Sequence, residues 1–193
     1  MRYIFILNPT AAKKNPYNTI FPAIQQYFDE NGLECVCHIT EKPGHAIEVV
    51  KMEGSKGDSV RIFAIGGDGT LSETAAGAIG LKNVEVGVIP CGSGNDYIKT
   101  FGKPEDFLSI ERQLRAKSQA VDMIRSGDRL SINLCSIGLD AKVAYNMVSF
   151  KKVPFISGSM AYDFALLRTL LGRIGDQLEI TIDGVKKYEG NYL

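Results

Sequence analysis

Gly66-Gly67-Asp68-Gly69-Thr70 places three glycines and one carboxylate between the apolar run Val60 to Ile65 and the helix-like stretch Leu71 to Ile79. A strand-to-helix turn of these residues can cradle phosphate. Glycine takes φ > 0 and lets a ligand approach main-chain N–H groups, and the helix N-terminus adds a partial positive charge. Asp68 is the odd member. A carboxylate there repels phosphate unless it faces a metal ion or a transferring proton, which points to phosphoryl chemistry. Local geometry offers a second account: Thr70-x-x-Glu73 has the spacing of a capping box, and Gly and Asp are ordinary turn residues.

A second turn of the same kind, Pro90-Cys91-Gly92-Ser93-Gly94-Asn95-Asp96-Tyr97, follows the β-rich run Val84 to Ile89. On its own it reads equally well as an ordinary turn. In a parallel sheet, however, both strands deliver their carboxyl ends to one edge, so the two turns face one crevice. Asp122, in Val121-Asp122-Met123-Ile124, also sits at a predicted strand end, and a simple turn role accounts for it as well.

The elements that must position these turns alternate regularly. Apolar runs at Tyr3 to Leu7, Leu33 to Ile39, Val60 to Ile65 and Val84 to Ile89 are separated by amphipathic stretches at Asn18 to Glu30, His45 to Glu53 and Leu71 to Ile79. Four β-α repeats imply an α/β domain with a parallel sheet covered on both faces. Asp106 to Arg115 adds a helix with Phe107, Leu108, Ile110 and Leu114 as its core stripe. The pattern changes near Ile124. Beyond it, Ser126-Gly127-Asp128 reads as a hairpin turn, Leu130 to Ile137 as a strand, and Ala141 to Phe150 and Ser159 to Leu171 as helices. Leu178 to Ile182, Asp183-Gly184 and Val185 to Tyr188 form a β-hairpin signal. Two regions follow, residues 1–124 and the opening of a β-rich domain at 125–193. Its terminal strand would expose unpaired backbone without a partner.

At 193 residues and 45% hydrophobic content the chain can bury a sizeable core. Lys+Arg and Asp+Glu are equal at 22 each, which leaves no electrostatic basis for non-specific nucleic-acid binding. Lys151-Lys152 and Lys186-Lys187 are local basic clusters that fit solvated surface or a membrane contact. Neither a signal peptide nor a transmembrane segment is visible, and the expected location is cytoplasmic. Cys35, Cys37, Cys91 and Cys135 lack repeated metal-ligand spacing and read as reduced core thiols. His38 reads as a strand residue and His45 as a loop or helix-start residue.

Gly66-Gly67-Asp68-Gly69-Thr70 with Glu73, then Pro90-x-Gly92-Ser93-Gly94-Asn95-Asp96, resembles the catalytic domain of the diacylglycerol kinase and sphingosine kinase superfamily, in particular its bacterial soluble lipid kinases. Asn8-Pro9-Thr10 after Ile4 to Leu7 is similar to the family's first nucleotide loop, although Ala11-Ala12 stand where a glycine is usual. Thr40 with Gly44-His45-Ala46 is similar to the segment after its second strand, and Ser131 to Ala141 to the start of its second domain. Ser72 replaces a common Asn. The resemblance implies a three-layer Rossmann-like domain of the NAD kinase and phosphofructokinase type, followed by the start of a β-sandwich.

It also implies transfer of the γ-phosphate of ATP to a lipid hydroxyl, chiefly diacylglycerol giving phosphatidic acid, at the inner face of the membrane by peripheral contact. Asn8, Pro9, Thr10, Ala11, Ala12, Thr40, Gly66, Gly67, Asp68, Gly69, Thr70, Leu71, Ser72, Glu73, Gly92, Ser93 and Asn95 are the expected nucleotide contacts. Asp68, Asp96 and Asp122 are the expected catalytic carboxylates and, if they meet, Mg²⁺ ligands directly or through water. Family members run on past the end of this chain, and the acid assigned as base falls in that part. A truncated chain of uncertain activity is therefore expected. Alternatives are a soluble-substrate kinase of the NAD kinase type and a non-catalytic nucleotide-binding fragment. Met147, Phe150, Phe155, Ile156 and Tyr162 could line a lipid pocket or be plain core. Monomer and homodimer are both open.

Overall fold

Alternating side chains decide the centre of the fold. In the computed structural model, which describes residues 1–150, 158–172 and 174–192, strands β1 (Arg2–Leu7), β2 (Cys35–Ile39), β3 (Val60–Gly66) and β4 (Val84–Pro90) form one parallel sheet in the order β2-β1-β3-β4. Phe5, Leu7, Phe63 and Ile65 point to one face, where they pack on Phe21, Ile24 and Phe28 of helix α2 (Phe21–Glu30), just after the single-turn α1 (Pro16–Thr19). Ile4, Ile6, Val60 and Ile62 point to the other face, onto Ala46, Val49 and Val50 of α3 (His45–Gly54). The period of two along each strand therefore yields three layers, helix, sheet and helix.

The aromatic side chains tighten the first face. Phe5 stacks on Phe63 with ring centroids 5.1 Å apart and meets Phe28 edge-on at 5.6 Å. Full burial of such a ring contributes about 1.5–3 kcal/mol, and truncation to alanine costs about 3–5 kcal/mol. On the second face, α4 (Asp68–Ala78) lies beside α3, and Gly77 permits the approach: a Cβ there would sit 2.8 Å from Val50 Cβ and 3.0 Å from the Ile47 carbonyl.

The helix expected over Asp106 to Arg115 is broken. A 3₁₀ turn spans Pro104–Phe107, Leu108 is exposed, and α5 (Ile110–Arg115) restarts at Ser109, whose hydroxyl accepts the Arg112 N–H. Phe107, Ile110 and Leu114 still pack on the core, so Leu108 alone leaves the stripe. Arg61 holds α5 down: its guanidinium donates to the Gln113 and Leu114 carbonyls and pairs with Glu85, the residue opposite it on β4. Burial raises the Glu85 carboxyl, but hydrogen bonds from Arg61 and Ser118 and the Arg61 charge outweigh this and leave it lowered.

At the amino end of the sheet, far along the strands from the glycine turns, Glu53 is 3% exposed and carries Arg2, Lys56 and His38 on its carboxylate at 2.5, 2.8 and 3.2 Å. Burial pushes Glu53 up, yet the hydrogen bonds from Lys56, Arg2 and His38 and the Lys56 charge hold it below the usual carboxylate range. Arg2 also pairs with Asp58. On β2, Cys35 and Cys37 point to the α2 face as free thiols, and burial with the neighbouring Cys35 pushes Cys37 up to about 12. No group of three or more His, Cys, Asp or Glu that could hold a metal occurs among the described residues.

The chain divides into two compact units, Met1–Leu134 and Cys135–Leu193. The break falls beyond the pattern change at Ile124 because the hairpin β5 (Ile124–Ser126) and β6 (Arg129–Ser131) belongs to the first unit. Ser72 Oγ donates to the Leu130 carbonyl at 3.3 Å, and Ile132 packs by Leu71 and Val88. Gly127, at φ 57°, makes its turn. The strand expected over Leu130 to Ile137 stops at Ser131.

The second unit contains α6 (Leu139–Phe150), α7 (Gly158–Leu170) and the antiparallel pair β7 (Asp176–Ile182) and β8 (Val185–Tyr192). Asp183 and Gly184 both take positive φ, 52° and 78°, as a two-residue hairpin of this kind requires. Of the β-rich domain expected here, the described residues hold this hairpin. Asn146 donates to Thr169 at 2.9 Å and joins the helices, and Lys142 pairs with Asp176 at 2.7 Å and ties α6 to β7. Phe150 stacks on Phe164, Met147 is half-buried and Tyr162 is exposed. Lys151, Lys152, Phe155 and Ile156 lie outside the described residues.

Candidate active site

Main-chain hydrogen bonds carry the sheet ladder one residue past β1, β2 and β4. Thr40 N–H donates to Leu7 O at 2.8 Å, Asn8 N–H to Ile65 O at 3.0 Å, and Cys91 N–H to Gly66 O at 2.9 Å. The loops after β2, β1, β3 and β4 therefore leave one edge side by side, as a parallel sheet dictates.

The two glycine turns then touch backbone to backbone. A Cβ on Gly92 would sit 2.5 Å from Gly67 Cα, and one on Gly67 would sit 3.2 Å from Gly92 Cα. Gly66 is equally confined, with Thr70 Oγ1 2.3 Å from where its Cβ would be. None of Gly66, Gly67, Gly69, Gly92 or Gly94 has positive φ, so the conformational freedom expected of them is not used. Close approach is the reason for glycine at 66, 67 and 92. The positive-φ residue is Asn95, at 50°, whose side chain closes its own turn by accepting Gly92 N–H at 3.1 Å and donating to Gly92 O at 2.8 Å.

Gly94 is different. Its missing Cβ leaves room for two carboxylates, with Asp68 Oδ2 at 3.0 Å and Asp96 Oδ2 at 3.2 Å from that point. Asp68 Oδ1 accepts the Tyr97 N–H at 3.2 Å, which fixes the first, and Lys99 pairs with Asp96 Oδ1, which fixes the second. Asp68 and Asp96 are thus brought together. Asp122 is exposed, precedes β5, and joins no three-carboxylate cluster among the described residues.

Asn8, Pro9, Thr10, Thr40, Glu41, Lys42, Pro43, Gly69, Thr70 and Glu73 line a cleft of about 300 Å³. Asn8 organises its floor. Its Oδ1 accepts the Thr10 N–H at 3.0 Å and hydroxyl at 2.9 Å, and its Nδ2 donates to Thr70 Oγ1 at 3.2 Å. Gly69 faces open space, with nothing within 4 Å of where a Cβ would be. The capping-box account of Thr70 and Glu73 does not hold: α4 begins at Asp68 with Gly67 as its cap, so Thr70 lies inside the helix, and Glu73 Oε1 instead accepts the Gly44 N–H at 2.9 Å.

Seven of the expected nucleotide contacts, Asn8, Pro9, Thr10, Thr40, Gly69, Thr70 and Glu73, therefore share one cleft. Others are placed elsewhere. Leu71 is core beside Ala64, Val88 and Ile98, Ser72 holds the β5-β6 hairpin, and Ala11 and Ala12 continue the chain past the cleft. Gly66, Gly67, Gly92 and Asn95 build the turns, and Ser93 is exposed at the tip of the second. Glu41, Lys42 and Pro43 line the cleft and were not anticipated. The available signal was Pro43-Gly44, a turn between β2 and α3 that a parallel sheet must place at this edge.

Residues 2–126 match the family described as the diacylglycerol kinase catalytic domain. The chain belongs to that family. It is 28% identical over 191 residues to a diacylglycerol kinase of Bacillus subtilis strain 168, covering 97% of this chain and 61% of the relative. It is 32% identical over 159 residues to a diacylglycerol kinase of Staphylococcus saprophyticus, covering 81% and 51%. The chain thus spans about half to three-fifths of the length of these relatives. A crystal structure of a diacylglycerol kinase from Bacillus anthracis has the same fold, with a TM-score of 0.67 at 24% identity over 98% of this chain and 61% of that one. The NAD kinase-like α/β architecture expected for the diacylglycerol kinase family is the one observed.

Proposed function

We propose that the chain binds ATP with Mg²⁺ in the cleft at the carboxyl edge of the sheet and serves transfer of the γ-phosphate to a lipid hydroxyl, diacylglycerol first among acceptors. The observation that carries this reading is the paired arrangement: a polar cleft over an open Gly69 at the start of α4, with Asp68 and Asp96 converging at Gly94 beside it. Family membership supports the lipid acceptor.

The residues fit both groups. Mg²⁺ is commonly held by one or two carboxylates together with substrate phosphate oxygens and water, so Asp68 and Asp96 suffice without a third acid. Bound Mg²⁺–ATP supplies the phosphoryl group and the cation that offsets charge developing on it. Main-chain N–H groups at the start of α4 would receive phosphate oxygens, and the Thr10 and Thr40 hydroxyls and Lys42 would orient the nucleotide. In the second unit, a cleft of about 500 Å³ sets Ile137, Ala141 and Tyr145 beside Lys142 and Arg168. An acceptor with acyl chains and a polar head needs both kinds of surface.

The test is radiolabelled phosphate transfer from ATP to diacylglycerol in mixed micelles, with sphingoid bases and a dinucleotide as parallel acceptors. It is run on this chain and on a version extended to the relatives' length. Mg²⁺-dependent labelling of diacylglycerol, absent in Asp68→Ala, is expected from the extended form. Labelling of the dinucleotide alone would replace the lipid reading with an NAD kinase-type one.

A further inference from the structure

The wall formed by Glu41, Lys42 and Pro43 has few attachments of its own. Its first residue is held by a hydrogen bond in which Glu41 N–H donates to Nδ1 of His45, the first residue of α3, at 3.1 Å. Its end is held by Glu73, which accepts the Gly44 N–H at 2.9 Å, and Gly44 itself sits at φ 85° as the cap of α3. Between these two points the His45 N–H donates to Lys42 O at 3.2 Å. Glu73 and Lys42 both line the cleft, whereas His45 does not.

The two straps differ in chemistry. A carboxylate accepts at any pH above its own titration, but an imidazole nitrogen accepts only while it carries no proton. Protonation turns Nδ1 into a donor that confronts the Glu41 N–H. The charged groups around this strap are Glu41 and Lys42 in the loop, Glu48 on α3, which pairs with Lys42 at 3.5 Å, and Glu73 on α4. All four are present with either protonation state of the ring, so the change at Nδ1 is the local switch.

We propose that His45 is a positioning residue for the nucleotide: by accepting the Glu41 N–H it holds the Glu41–Pro43 wall over the cleft, and its protonation releases that wall and weakens binding. This rests on the nucleotide reading above. Because Nδ1 of histidine and Oδ1 of asparagine stand the same number of bonds from Cβ, His45→Asn retains an acceptor there that does not titrate.

The experiment measures the dissociation constant of a fluorescent ATP analogue, with Mg²⁺, for wild type, His45→Asn and His45→Ala at about pH 8 and about pH 5.5. Exchange of the Glu41 amide is followed in parallel by NMR. At the higher pH, His45→Ala should bind about 3- to 10-fold more weakly, the effect of one lost hydrogen bond, while His45→Asn recovers most of the difference. On acidification, wild type should lose several-fold more affinity than His45→Asn, with the Glu41 amide becoming fast-exchanging in wild type only. The His45→Asn chain subtracts titration of the nucleotide itself. Wild-type binding that is matched by His45→Ala, or an equal acid loss in wild type and His45→Asn, overturns the proposal and leaves the nucleotide reading standing. Absence of binding in all three proteins, with the wild-type Glu41 amide still protected, overturns the nucleotide reading and the proposal with it.

Discussion

Replacing Gly69 by alanine should raise stability and lower nucleotide affinity in the same protein. Gly69 is the second residue of α4, its φ is not positive, and a Cβ would meet no atom within 4 Å, so the substitution brings neither strain nor clash. At such a site alanine stabilises by about 0.4–1 kcal/mol, chiefly by removing freedom from the unfolded chain. For a chain of this size that is a rise of about 1–4 °C in Tm. Gly69 also lines the cleft, however, and on the proposed nucleotide reading a methyl there would crowd phosphate oxygens approaching the first N–H groups of α4. An affinity loss of about 10-fold or more in titrations with the fluorescent nucleotide is expected. Gly92→Ala is the contrasting case. Its Cβ would fall 2.5 Å from Gly67 Cα, which is main chain and cannot turn aside, so overpacking of about 1–3 kcal/mol is expected and Tm falls. The reasoning is refuted if Gly69→Ala lowers Tm, or if it raises Tm and binds nucleotide as wild type does.

Three further outcomes follow from the same geometry. Asp68→Asn should lower Mg²⁺-dependent transfer by about 100-fold or more while leaving Tm within about 2 °C, as read by micelle assay and thermal melt on the extended protein, because its Oδ1 contact to the Tyr97 N–H survives as an amide oxygen. Glu53 is held below the usual carboxylate range, so its stabilisation is fully present above the ordinary Glu pKa of about 4.3 and disappears as pH falls through and below that value. Urea melts should therefore show wild type losing stability on that acid limb and Glu53→Gln starting lower by about 1–3 kcal/mol at pH 7 with a flatter limb; parallel limbs would show that Glu53 is not the group responsible. A disulfide reagent at about pH 8 should titrate one fast thiol, the exposed Cys135, because Cys35, Cys37 and Cys91 are half-buried with thiols raised by burial, and two or more fast thiols would contradict that placement.

The sheet was legible because strand side chains alternate: Ile4, Phe5, Ile6 and Leu7 send two residues to each face, and a run apolar at every position has no other use in a chain of this length. The direction of the sheet places the loops after β1, β2, β3 and β4 at one edge, which is how the two glycine turns were read together; Asn8, Thr10 and Thr40 came instead from the resemblance to the family, and the cleft gathers them with Gly69 and Thr70. What failed to show were facts that depend on a neighbour in space. Leu108 and Ser109 lie inside a helical pattern, and only the free Ser109 hydroxyl, reaching Arg112 N–H, restarts the helix there. The hairpin β5-β6 reads as a change of pattern, yet the contact from Ser72 assigns it to the first unit.

The glycines carry the sharpest version of this difference. Composition marks Gly66, Gly67, Gly69, Gly92 and Gly94 alike as residues free to adopt positive φ, and none of them does. The reason for each glycine is instead a different partner: Thr70 for Gly66, the opposing turn for Gly67 and Gly92, two carboxylates for Gly94, and empty cleft for Gly69. A local rule cannot separate these cases, because the atom that excludes a Cβ belongs to another part of the chain for Gly67, Gly92 and Gly94, to Thr70 of the same turn for Gly66, and to no atom of the protein for Gly69. At that fifth position the fold supplies no reason for glycine, and on the proposed nucleotide reading a ligand supplies it; opposite signs for stability and affinity in Gly69→Ala are what that reading predicts.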